Sequence, residues 1–487
     1  MRKKLIAVFA VAALALPLCA CSTEKKTELT KYTIDATLSA DNILTASVTC
    51  DYVNNNDVPL KELWFHLYPN AYREGANYCP VPDSRITEAF PNGRSYSVMK
   101  IDSVTVNGKA KDITVSGDDE NILVVALGGT LDPTEKTRIS INYSVKLPEV
   151  KHRFGYTDKS VNLANFYPIA CMYRDGAFVA DPYYSVGDPF FSECANYSVK
   201  LTVPQNYECA ATGEITGKTQ SENAVTYKIN AHSVRDFAAV LGEYQKMSGR
   251  SGSTIVNYYY YSDSDPEKAL NAAIDAVRIF GEKFGAYPYK EYTVVQTGFL
   301  QGGMEYPALS MISDAYSGDS KLDIIVHETA HQWWYGVVGN DEVKYSWLDE
   351  AMAEYSTMMF YEYADGYKYT FDAKRADALG AYMLYCETYK NNGLGDTTMT
   401  RALNEYSGET EYTYMIYVKG ALMLDDVRNT VGTQKFLAGL KKYYSSNKFG
   451  IAEPQDLMGA MEKSSKRQLK PLFDAWLNGN VQLYSTH

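Results

Sequence analysis

The stretch His327-Glu328-Thr329-Ala330-His331 carries the clearest chemistry in the chain. Two histidines four residues apart on a helix share one face, so both imidazoles can reach a single ion. Glu328 then projects near that ion without ligating it and can take a proton from a metal-bound water. A catalytic zinc needs a third protein ligand and one open position. Glu350, separated from His331 by eighteen residues, supplies a carboxylate and completes a His2Glu set for one Zn2+. The other four histidines, His66, His152, His232 and His487, show no metal spacing.

These ligands need two helices. Asp319 or Ser320 can cap a helix that runs through Leu322, Ile324, Ile325 and Val326 into the motif. Ser346 and Asp349 read as a capping-box-like start of a second helix, Trp347–Tyr363, with Glu350 in its first turn. Gly336 to Gly339 supply the turn between them. Upstream, residues 33–38, 43–53 and 63–67 alternate or run apolar, as do 197–203 and 224–229. Turn chemistry separates them at Asn54-Asn55-Asn56-Asp57, Asn107-Gly108 and Gly117-Asp118-Asp119. After Gly242 the texture changes to a strand at 255–261 and an amphipathic helix at Pro266–Phe284 bearing Leu270, Ala273, Ile274, Val277 and Phe280. Beyond Ser320 the pattern is helical, ending in an apolar helix within 469–478. The fold class is therefore multidomain α+β. A β-sandwich or saddle-like domain (31–245) precedes a mostly helical zinc peptidase domain (246–487).

The motif, Glu350 and two further blocks together resemble the gluzincin zinc aminopeptidases, the group of aminopeptidase N and leukotriene hydrolase. Gly302-Gly303-Met304-Glu305-Tyr306 is similar to their G-x-M-E-N block, and Tyr417-Val418-Lys419-Gly420 to their Y-x-K-G block. Weaker resemblance covers most of the chain, including Val234-Arg235-Asp236-Phe237. The resemblance implies a thermolysin-like catalytic domain. It also implies that Glu305 binds the substrate's α-amine, that Gly302 and Gly303 let an extended peptide approach, and that Tyr417 stabilises the oxyanion. A carboxylate suits a cationic N-terminus, and a phenol suits an oxygen that gains charge only in the transition state. Tyr306 stands where the family has Asn. The second amine anchor is expected from the β domain, near residues 166–178. Glu354 either orients a zinc-ligating histidine or is an exposed helix carboxylate. The longer members add a large helical domain, so the chain reads as a shortened form with a more open cleft.

The N-terminus reads as an export signal, with Arg2, Lys3 and Lys4 followed by an apolar run from Leu5 to Leu18. Leu18-Cys19-Ala20-Cys21 resembles a bacterial lipobox, which implies a signal peptide over 1–20 and a lipid on Cys21. The alternative is an ordinary signal peptide cut near Ala20. Residues 21–30 then form a polar tether. A net charge of −12 leaves no basic block for phosphates, which excludes a nucleic-acid partner. Six cysteines remain after Cys21, and no pair has metal-ligand spacing. The expected function is an aminopeptidase outside the cytoplasm, membrane-anchored through Cys21, acting on peptides with a free N-terminus. A zinc endopeptidase with an open cleft and a non-catalytic peptide-binding lipoprotein are the alternatives.

Overall fold

The computed structural model describes residues 28–484. The leader, Cys21 and His487 lie outside the described residues. Alternation in the sequence becomes alternation in burial. In Lys31–Leu38, Tyr32, Ile34, Ala36 and Leu38 point inward while their neighbours face solvent, and Ile43–Val53 repeats the pattern. A one-residue slip would turn Ile34 and Val48 out to water, so the register at Ile34 opposite Val48 is fixed by burial.

These strands belong to an eight-stranded sheet ordered Glu214–Gln220, Ala224–Val234, Ala195–Pro204, Lys31–Leu38, Ile43–Val53, Lys136–Lys146, Met99–Val106, Lys109–Lys111. All neighbours are antiparallel except Lys31–Leu38 beside Ala195–Pro204. Two four-stranded sheets, one containing Leu60–His66 and the other Ser160–Ala164, pack on the same core. The result is the multi-sheet β domain expected from the sequence.

The next sheet positions the site. Its five strands run in the order Gln245–Ser251, Thr254–Tyr260, Glu291–Thr297, Leu309–Ser313, Gly303–Met304. Thr254–Tyr260, Glu291–Thr297 and Leu309–Ser313 are parallel, and Gly303–Met304 closes one edge antiparallel to Leu309–Ser313. Helix Pro266–Phe284 makes the crossover between the first two parallel strands. It starts at Asp265, whose side chain accepts from the Lys268 N–H, and it buries Leu270, Ala273, Val277 and Phe280. From Gly318 onward the chain is mainly helical, ending in Lys470–Leu477.

Two details differ from the sequence reading. The motif helix is Gly318–Ala330, and its N-cap position is Ser317, not Asp319 or Ser320. Gly318 has φ +57°, which lets the chain turn into the helix two residues earlier than a cap at Asp319 would allow. The helix Trp347–Tyr363 begins where expected but without a capping box. A short helix, Glu342–Tyr345, leads into Ser346, which is already in the α region (φ −56°, ψ −22°) and makes no cap. Asp349 accepts instead from Asn340 Nδ2 at 2.9 Å. The described cysteines are free, and all but Cys79 are buried. Burial pushes the Cys50 and Cys209 thiols up to about 12, so these groups stay protonated and inert.

Candidate active site

The motif helix has one face in the core and one toward a cleft. Ile325, Val326 and Ala330 are buried inward. Thr329 Oγ1 lies 2.9 Å from Tyr292 Oη, tying the helix to the central sheet. His331 is the first residue past the helix and keeps α geometry (φ −61°, ψ −16°), so it stays in register with His327. The helix Trp347–Tyr363 presents Glu350 to the same place.

Three donor atoms converge there. His327 Nε2 and His331 Nε2 are 3.1 Å apart, and Glu350 Oε2 is 3.2 and 3.1 Å from them. Donors about 2.0–2.2 Å from a tetrahedral zinc stand about 3.3 Å from one another, so the triangle fits. The ring orientations fit as well. His331 Nδ1 is 3.0 Å from the Trp334 carbonyl, and His327 Nδ1 is 3.3 Å from Glu354 Oε2. His331 Nδ1 thus has a hydrogen-bond acceptor and His327 Nδ1 faces a carboxylate at ion-pair distance, so both Nε2 atoms are left toward one point. Glu354 takes the orienting role of the two readings open for it. Burial opposes ionisation of Glu350, yet His331 and His327 hold its carboxyl far below the usual range. Two imidazole lone pairs and a carboxylate this close call for a cation.

Glu328 lines the same cleft and is 5% exposed. Burial pushes its carboxyl up to about 7; the two histidines oppose the shift, and Glu350 and Asp188 add to it. Such a group can both accept and return a proton near neutrality. The glycines opposite have steric reasons. A Cβ on Gly303 would stand 2.6 Å from the Glu328 carboxylate carbon, and one on Gly302 would lie 3.2 Å from Ile324 Cδ1. Gly303 is also on the terminal strand of the sheet, where an extended peptide can add as a further strand.

Glu305 follows on that strand's exit and is 4% exposed, with Oε1 lacking a hydrogen-bond partner. Burial pushes its carboxyl well up; His331 opposes this, while Asp188, Glu328 and Glu350 contribute. A buried carboxylate oxygen without a partner is costly unless a cationic ligand arrives to meet it. A second acidic group, Asp188 of the β domain, also lines the cleft. Oxygens of Asp188, Glu305 and Glu350 lie within 4.8 Å of one another. Arg153 pairs with Asp188 and also lines the cleft. Neither residue carries a sequence signal, because each reaches the cleft only through the packing of the two domains. Tyr306, which departs from the family's Asn, is buried, and its Oη donates to Asn165 Oδ1 at 2.9 Å.

The Y-x-K-G block is explained position by position. Tyr414–Lys419 is a turn of π-helix, a form that re-aims side chains at functional sites. Tyr417 Oη donates to Glu350 Oε1, and its ring stacks on His327 with centroids 5.8 Å apart. Lys419 is fully buried and donates to the Thr397 and Trp476 carbonyls, pinning the turn. Gly420 lets this segment touch the Glu350 helix, since a Cβ there would lie 3.4 Å from Ala351 Cα. The competing tyrosines do not line the cleft. Tyr412 packs edge-on against Tyr417, and Tyr414 packs on Tyr385. All eight residues predicted for metal, substrate and catalysis therefore line one cleft of about 240 Å³, His327, His331 and Glu350 forming the donor triangle and Glu328, Glu305, Tyr417, Gly302 and Gly303 standing around it.

Residues 268–476 match the Peptidase family M1 domain. The aminopeptidase N of Streptomyces lividans is 25% identical over 438 residues, covering 83% of this chain and 48% of that protein. The aminopeptidase N of Lactobacillus delbrueckii subsp. lactis is 22% identical over 402 residues, covering 78% and 46%. The chain thus spans about half the length of the curated relatives it matches. A crystal structure of an M1 zinc metallopeptidase mutant from Deinococcus radiodurans, bound to a Tyr-Ser-Ala substrate, superposes with a TM-score of 0.68. It is 16% identical, and the match covers 94% of this chain and 95% of that one, so the two-domain fold is shared.

Proposed function

We propose that this chain, whose residues 268–476 match the Peptidase family M1 domain, is a zinc-dependent aminopeptidase. One observation carries the reading: the buried, unpartnered Glu305 carboxylate opens into the same cleft as Glu328 and the His327, His331, Glu350 triangle. A general zinc hydrolase has no use for such a group, whereas an exopeptidase needs one to receive the substrate's ammonium.

One Zn2+ held by His327, His331 and Glu350 would supply Lewis acidity and lower the pKa of a coordinated water. Glu305 and Asp188 bracket the α-ammonium, which fixes the first peptide bond beside Glu328. The substrate backbone runs along Gly302 and Gly303. Glu328 takes a proton from the attacking water and returns it to the leaving amine. Tyr417 swings its hydrogen bond from Glu350 to the carbonyl oxygen as negative charge develops there. The peptide bond breaks, a water is consumed, and a free amino acid and a shortened peptide leave.

The leader and the lipobox-like Cys21 support an exported protein tethered to the membrane by lipid. Among the described residues no helix is long and apolar enough to cross a membrane. Replacing Cys21 with Ser should release the protein from the membrane fraction; continued sedimentation with membranes would refute the anchor. The activity is tested with a panel of aminoacyl amides before and after chelation. Hydrolysis should vanish with chelator and return with Zn2+, and undiminished hydrolysis under chelation would refute the zinc reading.

A further inference from the structure

Tyr335 has φ +114°, a conformation that non-glycine residues rarely adopt and that lasts only where the surroundings enforce it. Its ring is 1% exposed. Both ends of the residue are gripped from the β domain. Tyr335 Oη donates to Asp236 Oδ2 at 2.5 Å, and its carbonyl accepts from Arg235 Nε at 3.0 Å. Arg235 is 2% exposed and also donates to the Ser192 and Gly450 carbonyls. The loop wraps closely on this guanidinium, because a Cβ on Gly339 would overlap it.

The consequence reaches the metal site through one peptide plane. The Tyr335 N–H donates to Val338 O at 2.8 Å. That N–H and the Trp334 carbonyl belong to the same rigid peptide unit. The Trp334 carbonyl is the acceptor 3.0 Å from His331 Nδ1. Holding Tyr335 therefore holds the group that sets the ring angle and tautomer of His331.

We propose that Arg235, Asp236 and Tyr335 are positioning residues for His331, so that docking of the β domain sets the strength of metal binding. The inference rests on the zinc reading above. None of the three lines the cleft, so none can act by touching substrate.

The test uses the full chain loaded with zinc, with Tyr335→Phe and Asp236→Asn. Tyr335→Phe removes one hydroxyl and keeps the ring, so it decides the matter if Asp236→Asn does not fold. Zinc release into a chromogenic chelator is timed, the visible spectrum of the Co2+-substituted protein is recorded, and thermal unfolding of the chelated protein is followed. Release about tenfold faster than wild type, with an altered Co2+ spectrum, is the expected result. A lowered unfolding temperature with unchanged release and an unchanged spectrum would mean domain glue only and would overturn the inference. Wild-type protein that holds no zinc would overturn the zinc reading as well.

Discussion

Gly303 lies directly against the carboxylate of Glu328, so close that a Cβ at 303 would stand 2.6 Å from the carboxylate carbon. The edge strand and the motif helix are therefore packed to the limit that a glycine permits. The contact couples the surface on which a peptide would lie to the group proposed to move its proton. Gly303→Ala is expected to push Glu328 aside and lower kcat about 100-fold, because small misplacements of a reacting group are that costly. Zinc content, measured by atomic absorption, should stay at one equivalent. Wild-type kcat in Gly303→Ala would show that the contact has no functional weight.

Glu328 gives the pH dependence. Burial lifts its carboxyl from 4.5 to about 7, and a cation beside it draws the value back down. The carboxylate is the working form, so kcat/KM should fall as pH drops, with a one-proton midpoint between those two values. Glu328→Gln should keep its zinc, lose about 1,000-fold or more in kcat, and show no acid limb in the activity that remains. Retained activity with the same acid limb would assign the base elsewhere.

Tyr417 touches both Glu350 and the face of His327. Removing its hydroxyl should leave substrate binding largely intact while stripping a donor used in the transition state. Tyr417→Phe is expected to lower kcat about 100- to 1,000-fold with KM changed less than about threefold. A rise in KM at constant kcat would recast Tyr417 as a binding residue.

His66 makes a prediction about stability alone. It is 4% exposed, stacks on Tyr68 at 4.7 Å, and burial holds its imidazole down to about 4, partly offset by the Val179 backbone. The unfolded chain takes up a proton below about 6.5 while the folded chain does not. Stability is therefore complete above that pH and is lost as pH falls toward 4, by about 3 kcal/mol in all. Urea unfolding across this range should show the slope in wild type and not in His66→Gln. Parallel slopes in both would place the acid sensitivity at other groups.

The proposed metal ligands were legible because their spacing is the geometry of a helix: His327 and His331 sit one turn apart, and Glu350 falls in the first turn of a segment with helical pattern. Gly302, Glu305 and Tyr417 became legible only as members of recognisable blocks, since a lone Tyr among 42 carries no signal. Asp188 and Arg153 were not legible, because they enter the cleft from the β domain by tertiary packing. The mistaken capping box at Ser346 has a local cause. The short helix Glu342–Tyr345 precedes it, so the chain arrives already helical and leaves no extended N-cap residue.

The central claim is that the cleft reads a free N-terminus beside a zinc-dependent peptidase centre. The most direct measurement compares one short peptide with its N-acetylated form as substrates of the zinc-loaded protein. The free peptide should lose its first residue, and acetylation should lower kcat/KM at least about 100-fold by removing the cation that meets Glu305 and Asp188. Equal cleavage of the two forms, or cleavage at an internal bond, would contradict the aminopeptidase assignment and leave an endopeptidase in its place.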